Sequence, residues 1–346
     1  MIDPVICIIP GDGIGAEVMA SALEVLRATG LPLCFAEYGA GWATFQATGV
    51  ALPDVTLAAA KAATAVLFGA VASPLSPVPG YRSPIVALRR ALDLYANIRP
   101  TVGSRDGQRV DLVVVRENTE GMYAGRERTE DGGDTAIAER VITRVASERI
   151  ARAAFELATA RAEAGGRQAK VTIVHKANVL RETCGLFRSA ALAVARDYPA
   201  MAADELLVDN CALQLVLRPE HFDVLVTTNL FGDIISDVAS AWGGGLGLAT
   251  SASYGPQTAL FEPVHGAAPD IAGKGLANPL AAIGCAALLL RYLAGTVETS
   301  ADYRAWSSRI AAAVAHVTAH GPHTPDLGGT ATTADVTRAI VGTVTA

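Results

Sequence analysis

The sequence predicts an α/β fold with a largely parallel sheet, on three observations. Short apolar runs of strand length alternate with longer helical patterns through the whole chain. Apolar residues make up 51% and charged residues 18%, which allows a sizeable core and excludes a disordered chain. The 346 residues suffice for about two ordinary domains, and neither an internal repeat nor a low-complexity linker interrupts them.

In chain order, the apolar run at 5–10 leads into the turn GDGIG, and an Ala/Leu-rich helix is expected from 16 to about 28. Strands are expected at 65–68, 111–115, 170–174, 205–208 and 223–227, with helices at 148–164 and 186–198 among them. The longest apolar stretch, 279–290, ends at Arg291, is too short to cross a bilayer and reads as a buried helix. Residues 125–144 are polar, lack a core stripe and suggest an arm or hairpin pairing with another subunit. The net charge of −6 gives no sign of nucleic-acid binding. Five scattered cysteines with no CxxC pair argue against disulfides or a zinc site and for reduced thiols. No secretory leader is evident, so a cytoplasmic protein with neither membrane nor nucleic-acid partner is expected.

Gly11, Gly13 and Gly15 follow the first strand, but G-x-G-x-G is not the G-x-G-x-x-G of a dinucleotide fingerprint, and no acidic residue ends a second strand where one is needed. A tight strand-to-helix turn explains them better. Arg89 and Arg90 lie on a helix starting near Pro84 and are expected on one side of it with Val86; Arg99 and Arg116 follow, the latter at a strand's C-terminal end. Converging guanidinium groups suit a di- or tricarboxylate, while surface ion pairs would explain the same spacing. Asp233 and Asp237 share a helical face, where two like charges repel unless a cation lies between them, and Asp209 at another strand end offers a third hard ligand for Mg2+ or Mn2+. Solvated aspartates are the plain alternative. Lys176, just past a strand, could serve as a general base and Tyr123 as a proton donor, although alone each reads better as an ordinary surface lysine or half-buried tyrosine. The segment 262–279 is dense in Gly, Pro and Ala and carries Asp270, so it reads either as a surface loop or as a backbone that approaches a flat ligand closely.

Taken together, GDGIGAE, SPIVALRR, VRENTEGMY, HKANVL, VDNCALQLV, NLFGDIISD, EPVHGAAPDIAGKG and TPDLGGTATT resemble the β-decarboxylating dehydrogenases, the family of isocitrate, 3-isopropylmalate, homoisocitrate and tartrate/D-malate dehydrogenases, over essentially the whole chain. The resemblance implies an isocitrate/isopropylmalate dehydrogenase-like fold, not a Rossmann fold, with two domains sharing a large mixed sheet. It implies a large NAD-binding domain at 1–94 plus 244–346, and a small domain at 95–243 with the dimer interface, metal ligands and arm. The active site would lie in the cleft, completed by a second subunit of a homodimer or tetramer.

By the same resemblance, Arg89, Arg99 and Arg116 hold the malate carboxylates. Asp209, Asp233 and Asp237 hold Mg2+ or Mn2+, Asp209 from across the interface. Lys176, also from across it, is the base for the 2-hydroxyl proton, and Tyr123 protonates the enolate. Asn178 faces the nicotinamide; Glu262, His265, Gly266, Ala267, Asp270, Ile271 and Asn278 surround the adenosine. NADP-using relatives carry Lys then Tyr where this chain has Asp270 and Ile271, which implies NAD, since an Asp beside the ribose repels a 2′-phosphate.

The reaction implied is oxidative decarboxylation of a 3-substituted (2R,3S)-malate. Arg82, Ser83, Ile85 and Val86 would meet the 3-substituent. Isopropylmalate enzymes typically carry Glu and two Leu at the positions of Arg82, Ile85 and Val86; many isocitrate enzymes carry Ser and Asn where Ser83 and Ile85 stand. The strings SPIVALR, VRENTEG and VDNCALQLV look most like homoisocitrate dehydrogenases, so homoisocitrate is the expected substrate. Isocitrate, 3-isopropylmalate, tartrate/D-malate or a specialised malate such as 3-phosphonomethylmalate are the alternatives. A non-catalytic regulatory subunit would have lost metal or proton-transfer residues, and none is missing here.

Overall fold

The computed structural model describes residues 3–76, 78–105, 107–165, 169–296 and 300–346. The chain forms two compact units, Met1–Leu92 with Leu246–Ala346, and Asp93–Gly245.

The first unit begins with β1 (Val5–Gly11), α1 (Gly15–Ala28), β2 (Cys34–Glu37), α2 (Trp42–Thr48), α3 (Asp54–Ala62), β3 (Ala65–Ala70) and α4 (Pro84–Ala91). The second unit follows with β4 (Ala96–Arg105), β5 (Gln108–Glu117), β6 (Gly121–Glu130), β7 (Thr135–Val141), α5 (Arg144–Gly165), β8 (Lys170–His175), α6 (Thr183–Ala195), β9 (Ala202–Leu207), α7 (Val208–Leu217), β10 (Val224–Thr227) and α8 (Asn229–Ser240). The chain then returns to the first unit with β11 (Thr250–Tyr254), β12 (Ala259–Pro263), α9 (Leu280–Thr296), α10 (Ser300–His320) and α11 (Thr333–Thr345).

In the first unit the strands run β2-β1-β3-β12-β11, parallel except where β11 turns back on β12. Every residue of β3 is buried, as befits an apolar strand covered on both faces. Val18, Met19, Ala22, Val25 and Leu26 form the inward stripe of α1 and pack with α9, α10 and α11 into one core. The buried helix expected in the longest apolar stretch is α9, which runs on to Thr296 with Arg291 on its exposed side.

In the second unit the order is β4-β5-β10-β8-β9, with β4 antiparallel to β5 and the other neighbours parallel. Val110, Leu112 and Val114 of β5 pack with Cys211 and Leu215 of α7 and Ile235 and Ala239 of α8. The polar segment is a hairpin, β6 against β7, whose outer half is exposed on both strands. The α/β class with mixed parallel and antiparallel pairing is therefore as the sequence predicts. No helix among the described residues is long and apolar enough to cross a membrane.

The glycine loop proves to be internal packing. Gly11 and Gly13 have φ of +76° and +58°, and a Cβ would stand 1.8 Å from the Ala70 carbonyl oxygen at Gly11 and 2.0 Å from that of Ala267 at Gly13. Asp12 between them is buried, and its carboxylate accepts hydrogen bonds from the backbone N–H groups of Trp42 (2.7 Å), Ala43 (2.9 Å) and Ala72 (2.9 Å). One carboxylate thus fixes the start of α2 and the loop leaving β3.

Candidate active site

In the second unit, three strands bring two arginines and a tyrosine to one carboxylate, that of Asp233 on α8. Strand β4 supplies Arg99, whose Nη1 lies 3.2 Å from Asp233 Oδ1 and 3.7 Å from Asp237 Oδ1. Arg99 also donates to Asn97 (2.8 Å) and to the Ser236 hydroxyl (2.9 Å), so its fork is held in place. Strand β5 supplies Arg116, almost wholly buried, which pairs with Asp233 and donates from Nε and Nη2 to Asn229 Oδ1. Strand β6 supplies Tyr123, whose hydroxyl donates to Asp233 Oδ2 at 2.6 Å, with the Arg116 guanidinium 5.2 Å from the centre of its ring. Helix α8 carries Asn229, Asp233, Ser236 and Asp237 at helical spacing on one face. Gly232 lets Arg116 lie along that helix, since a Cβ there would meet Arg116 Cγ at 2.6 Å.

Burial raises the Tyr123 pKa above the ordinary phenol value, and the hydrogen bond to Asp233 and its charge raise it further against the opposing Arg116, so Tyr123 is a neutral donor at pH 7. The Asp237 pKa is raised by burial; Arg99 opposes this and Asp233 adds to it.

Lys176 stands in the turn after β8 and Asp209 in the first turn of α7. The expectation that Asp209 ends a strand is corrected: β9 stops at Leu207 and the chain enters the helix directly. Lys176 Nζ lies 2.5 Å from Asp209 Oδ1, and that hydrogen bond lowers the Asp209 pKa. Among the described residues no three acidic, His or Cys side chains gather around one point, so Asp209 does not meet Asp233 and Asp237 within one chain. Asn178 is exposed in the turn that carries Lys176.

In the first unit, Arg89 and Glu262 form a buried ion pair at 2.8 Å, and Arg89 Nε is buried without a partner. The expected shared side of Val86, Arg89 and Arg90 is corrected: Arg89 is buried and Arg90 exposed, because consecutive helical residues point about 100° apart. Ser83 precedes α4 at its cap position without a capping bond, Arg82 is exposed, Ile85 is buried and Val86 half-buried. Tyr81 meets Trp42 and Phe45 edge-on at 5.4 and 5.3 Å, bracing the loop before α4.

The loop after β12 holds His265, Gly266, Ala267, Asp270, Ile271 and Asn278. The Ala267 carbonyl accepts from Ile14 N at 2.8 Å, which ties this loop to the glycine turn. Ala268 sits at φ +36°, a strained backbone for a residue with a Cβ. Asn278 donates to Asp326 (2.9 Å) and accepts from Leu280 N (3.0 Å), so its amide is committed to the fold. Asp270 is exposed, Ile271 half-buried, and Gly266 leaves open space where a Cβ would stand. Burial lowers the His265 pKa, and its Nε2 is buried without a partner. A neutral ring with an unused polar atom in a loop of small residues fits a base such as adenine.

A family model described as isocitrate/isopropylmalate dehydrogenase matches residues 5–340. The chain belongs to this family. It is 53% identical over 342 residues to the isocitrate/homoisocitrate dehydrogenase of Thermus thermophilus, covering 97% of each chain. It is 48% identical over 328 residues to the 3-isopropylmalate dehydrogenase of Archaeoglobus fulgidus, covering 94% of each. The crystal structure of isocitrate dehydrogenase from Methylococcus capsulatus superposes with a TM-score of 0.89 at 41% identity, over 99% of this chain and 100% of that one. The chain is thus an oxidoreductase of the β-decarboxylating dehydrogenases, a family that uses a divalent metal and NAD(P), acts on small molecules and is usually oligomeric.

Sequence reading missed Asn97, Asn229 and Ser236, the groups that hold the arginines in place. The signal for two of them was present: Asn229 and Ser236 fall at helical spacing around Asp233 and Asp237. Asn97 stands two residues before Arg99 on the same face of β4, a spacing that points to their contact only once the strand is recognised.

Proposed function

We propose that this dehydrogenase oxidises and decarboxylates a 3-substituted (2R,3S)-malate with NAD and Mg2+ or Mn2+, and that homoisocitrate, giving 2-oxoadipate, is its preferred substrate. The observation that carries the reading is the gathering of Arg99, Arg116 and Tyr123 on Asp233, two carboxylate binders and a neutral proton donor around one hard ligand. Arg89, Arg99 and Arg116 bind the substrate carboxylates. Asp233 and Asp237, with Asp209 of a second copy, hold the cation; such ions commonly take one or two carboxylates from a protein and complete their shell with water and substrate. When bound, NAD would supply hydride-accepting chemistry for C2 and the cation would supply Lewis acidity. Lys176, likewise of the second copy, takes the 2-hydroxyl proton, and Tyr123 returns a proton to the carbon that has lost CO2. Asn178 faces the nicotinamide. Glu262 and the loop of His265, Gly266, Ala267, Asp270, Ile271 and Asn278 receive the adenosine, with Asp270 favouring NAD over NADP.

Exposed Arg82 beside Ser83 supports a distal anionic group on the substrate, and the relative in Thermus thermophilus is named for isocitrate and homoisocitrate. The test is NADH formation with NAD and Mg2+ across homoisocitrate, isocitrate, 3-isopropylmalate, tartrate, D-malate and 3-phosphonomethylmalate. The expected result is a kcat/KM for homoisocitrate at least about tenfold above the others, roughly the discrimination one or two pocket contacts provide. Preference for another member replaces the substrate and keeps the chemistry; silence with all of them opens the regulatory-subunit reading.

A further inference from the structure

Strand β8 ends at His175, directly before Lys176, and the His175 ring is buried at 5% exposure. The turn that follows is closed by Val179 N and Leu180 N, which both donate to the Lys176 carbonyl at 3.1 and 2.9 Å. The Ala177 N–H lies inside this turn and donates to His175 Nδ1 at 3.2 Å. An Nδ1 that accepts leaves the proton of a neutral imidazole on Nε2. Nε2 is buried, makes no hydrogen bond, and faces the Glu205 carboxylate of the neighbouring strand β9 with Oε2 3.5 Å away, close enough for its charge to favour a proton on Nε2. Glu205 takes two hydrogen bonds from Arg188 of α6, each 2.6 Å. A chain of polar contacts therefore runs from Arg188 through Glu205 and His175 to the backbone that carries Lys176 and Asn178.

We propose that His175 is a positioning residue: its Nδ1 serves as the acceptor that sets the turn bearing Lys176 and Asn178, and the Glu205–Arg188 pair selects the tautomer that leaves Nδ1 free to accept. Burial supports the neutral ring by lowering its pKa, more than Glu205 raises it. A protonated His175 would turn a donor toward the Ala177 N–H and open the turn. The inference rests on Lys176 being the base of the proposed reaction, and it reaches Lys176 only through the backbone.

The test compares the full-length wild type with His175→Leu, His175→Asn and Lys176→Ala. Its readouts are steady-state NADH formation on the best substrate of the panel and hydrogen exchange of the backbone around Ala177. His175→Leu is expected to lower kcat about 10- to 100-fold, as a misplacement near 1 Å does, with substrate KM within about threefold. It should also speed exchange at Ala177. His175→Asn is expected to restore both, because an Asn carbonyl accepts from the N–H two residues on. Unchanged kcat or unchanged exchange in His175→Leu overturns the proposal. So does His175→Asn as impaired as His175→Leu, which would make the ring's volume the cause. Full turnover by Lys176→Ala would instead sink the reading of Lys176 as base, and the exchange measurement would still report whether His175 sets the turn.

Discussion

Lys176 and Asp209, 33 positions apart, form a direct ion pair of 2.5 Å at the second unit's surface, with Asp209 the more exposed partner. The proposed base and one proposed metal ligand are thus neighbours on one chain, so a second copy offering one would offer both. The two substitutions should nevertheless differ. Lys176→Ala is expected to lower kcat about 10²- to 10⁴-fold, the usual worth of a positioned acid–base group, while substrate binding measured by calorimetry persists. Asp209→Asn is expected instead to raise the Mg2+ concentration for half-maximal rate, with the melting temperature unchanged because the pair is exposed. An Mg2+ requirement identical to wild type in Asp209→Asn would remove that residue from the metal site.

Asp233 and Asp237 look alike in sequence and differ in structure. Asp233 pairs with Arg99, Arg116 and Tyr123, and Arg116 is only 1% exposed, so neutralising Asp233 removes an anion from beside a buried cation. Breaking a fully buried pair costs about 3–5 kcal/mol; with Asp233 itself about a third exposed, roughly 1–3 kcal/mol is expected for Asp233→Asn. Asp237 is about half exposed, and its contact to Arg99 is longer, so Asp237→Asn should cost under about 1 kcal/mol. Urea unfolding of the two variants decides it, and equal losses would refute Asp233 as the hub.

The cysteines predict a simple chemical result. Cys7, Cys184, Cys211 and Cys285 are buried and Cys34 is exposed. Burial pushes the Cys7 thiol up to about 11 and those of Cys211 and Cys285 to about 12, so they offer almost no thiolate at pH 8. A thiol reagent should therefore titrate one group in the native protein and five after denaturation. A second fast-reacting thiol in the native protein, or fewer than five once unfolded, would contradict the burial pattern or the free state of the cysteines.

Strands with an apolar run at their centre, such as β3, β8 and β10, were legible because parallel strands covered on both faces are rich in apolar residues. β4 was not, since Arg99 and its polar neighbours break the apolar pattern that reveals a strand, and at β6 and β7 the polar composition suggested an arm or hairpin without marking its strands. That Asp233 and Asp237 share a face of α8 was legible from spacing, whereas the meeting of Asp233 with Arg116 and Tyr123 depends on tertiary approach. The pairing of Arg89 with Glu262 spans 173 positions and leaves no local signal.

Asp270 gives the last prediction. It is exposed in the turn after Ala267, so in the proposed adenosine site its charge would act on a 2′-substituent through solvent as well as protein. A carboxylate facing a 2′-phosphate repels it, so the wild type should favour NAD over NADP in kcat/KM, and Asp270→Ser should narrow that preference about ten- to hundredfold. Repulsion between exposed charges is screened as the Debye length shrinks, from about 10 Å at 0.1 M salt to about 3 Å at 1 M. The wild-type preference should therefore fall as salt is added, while the smaller preference of Asp270→Ser stays nearly flat. That salt dependence separates electrostatic exclusion from a steric one, since a pocket too small for the phosphate rejects it at any ionic strength. A preference that ignores salt in the wild type and survives in Asp270→Ser would assign cofactor choice to the shape of the loop around Ile271 rather than to the charge of Asp270.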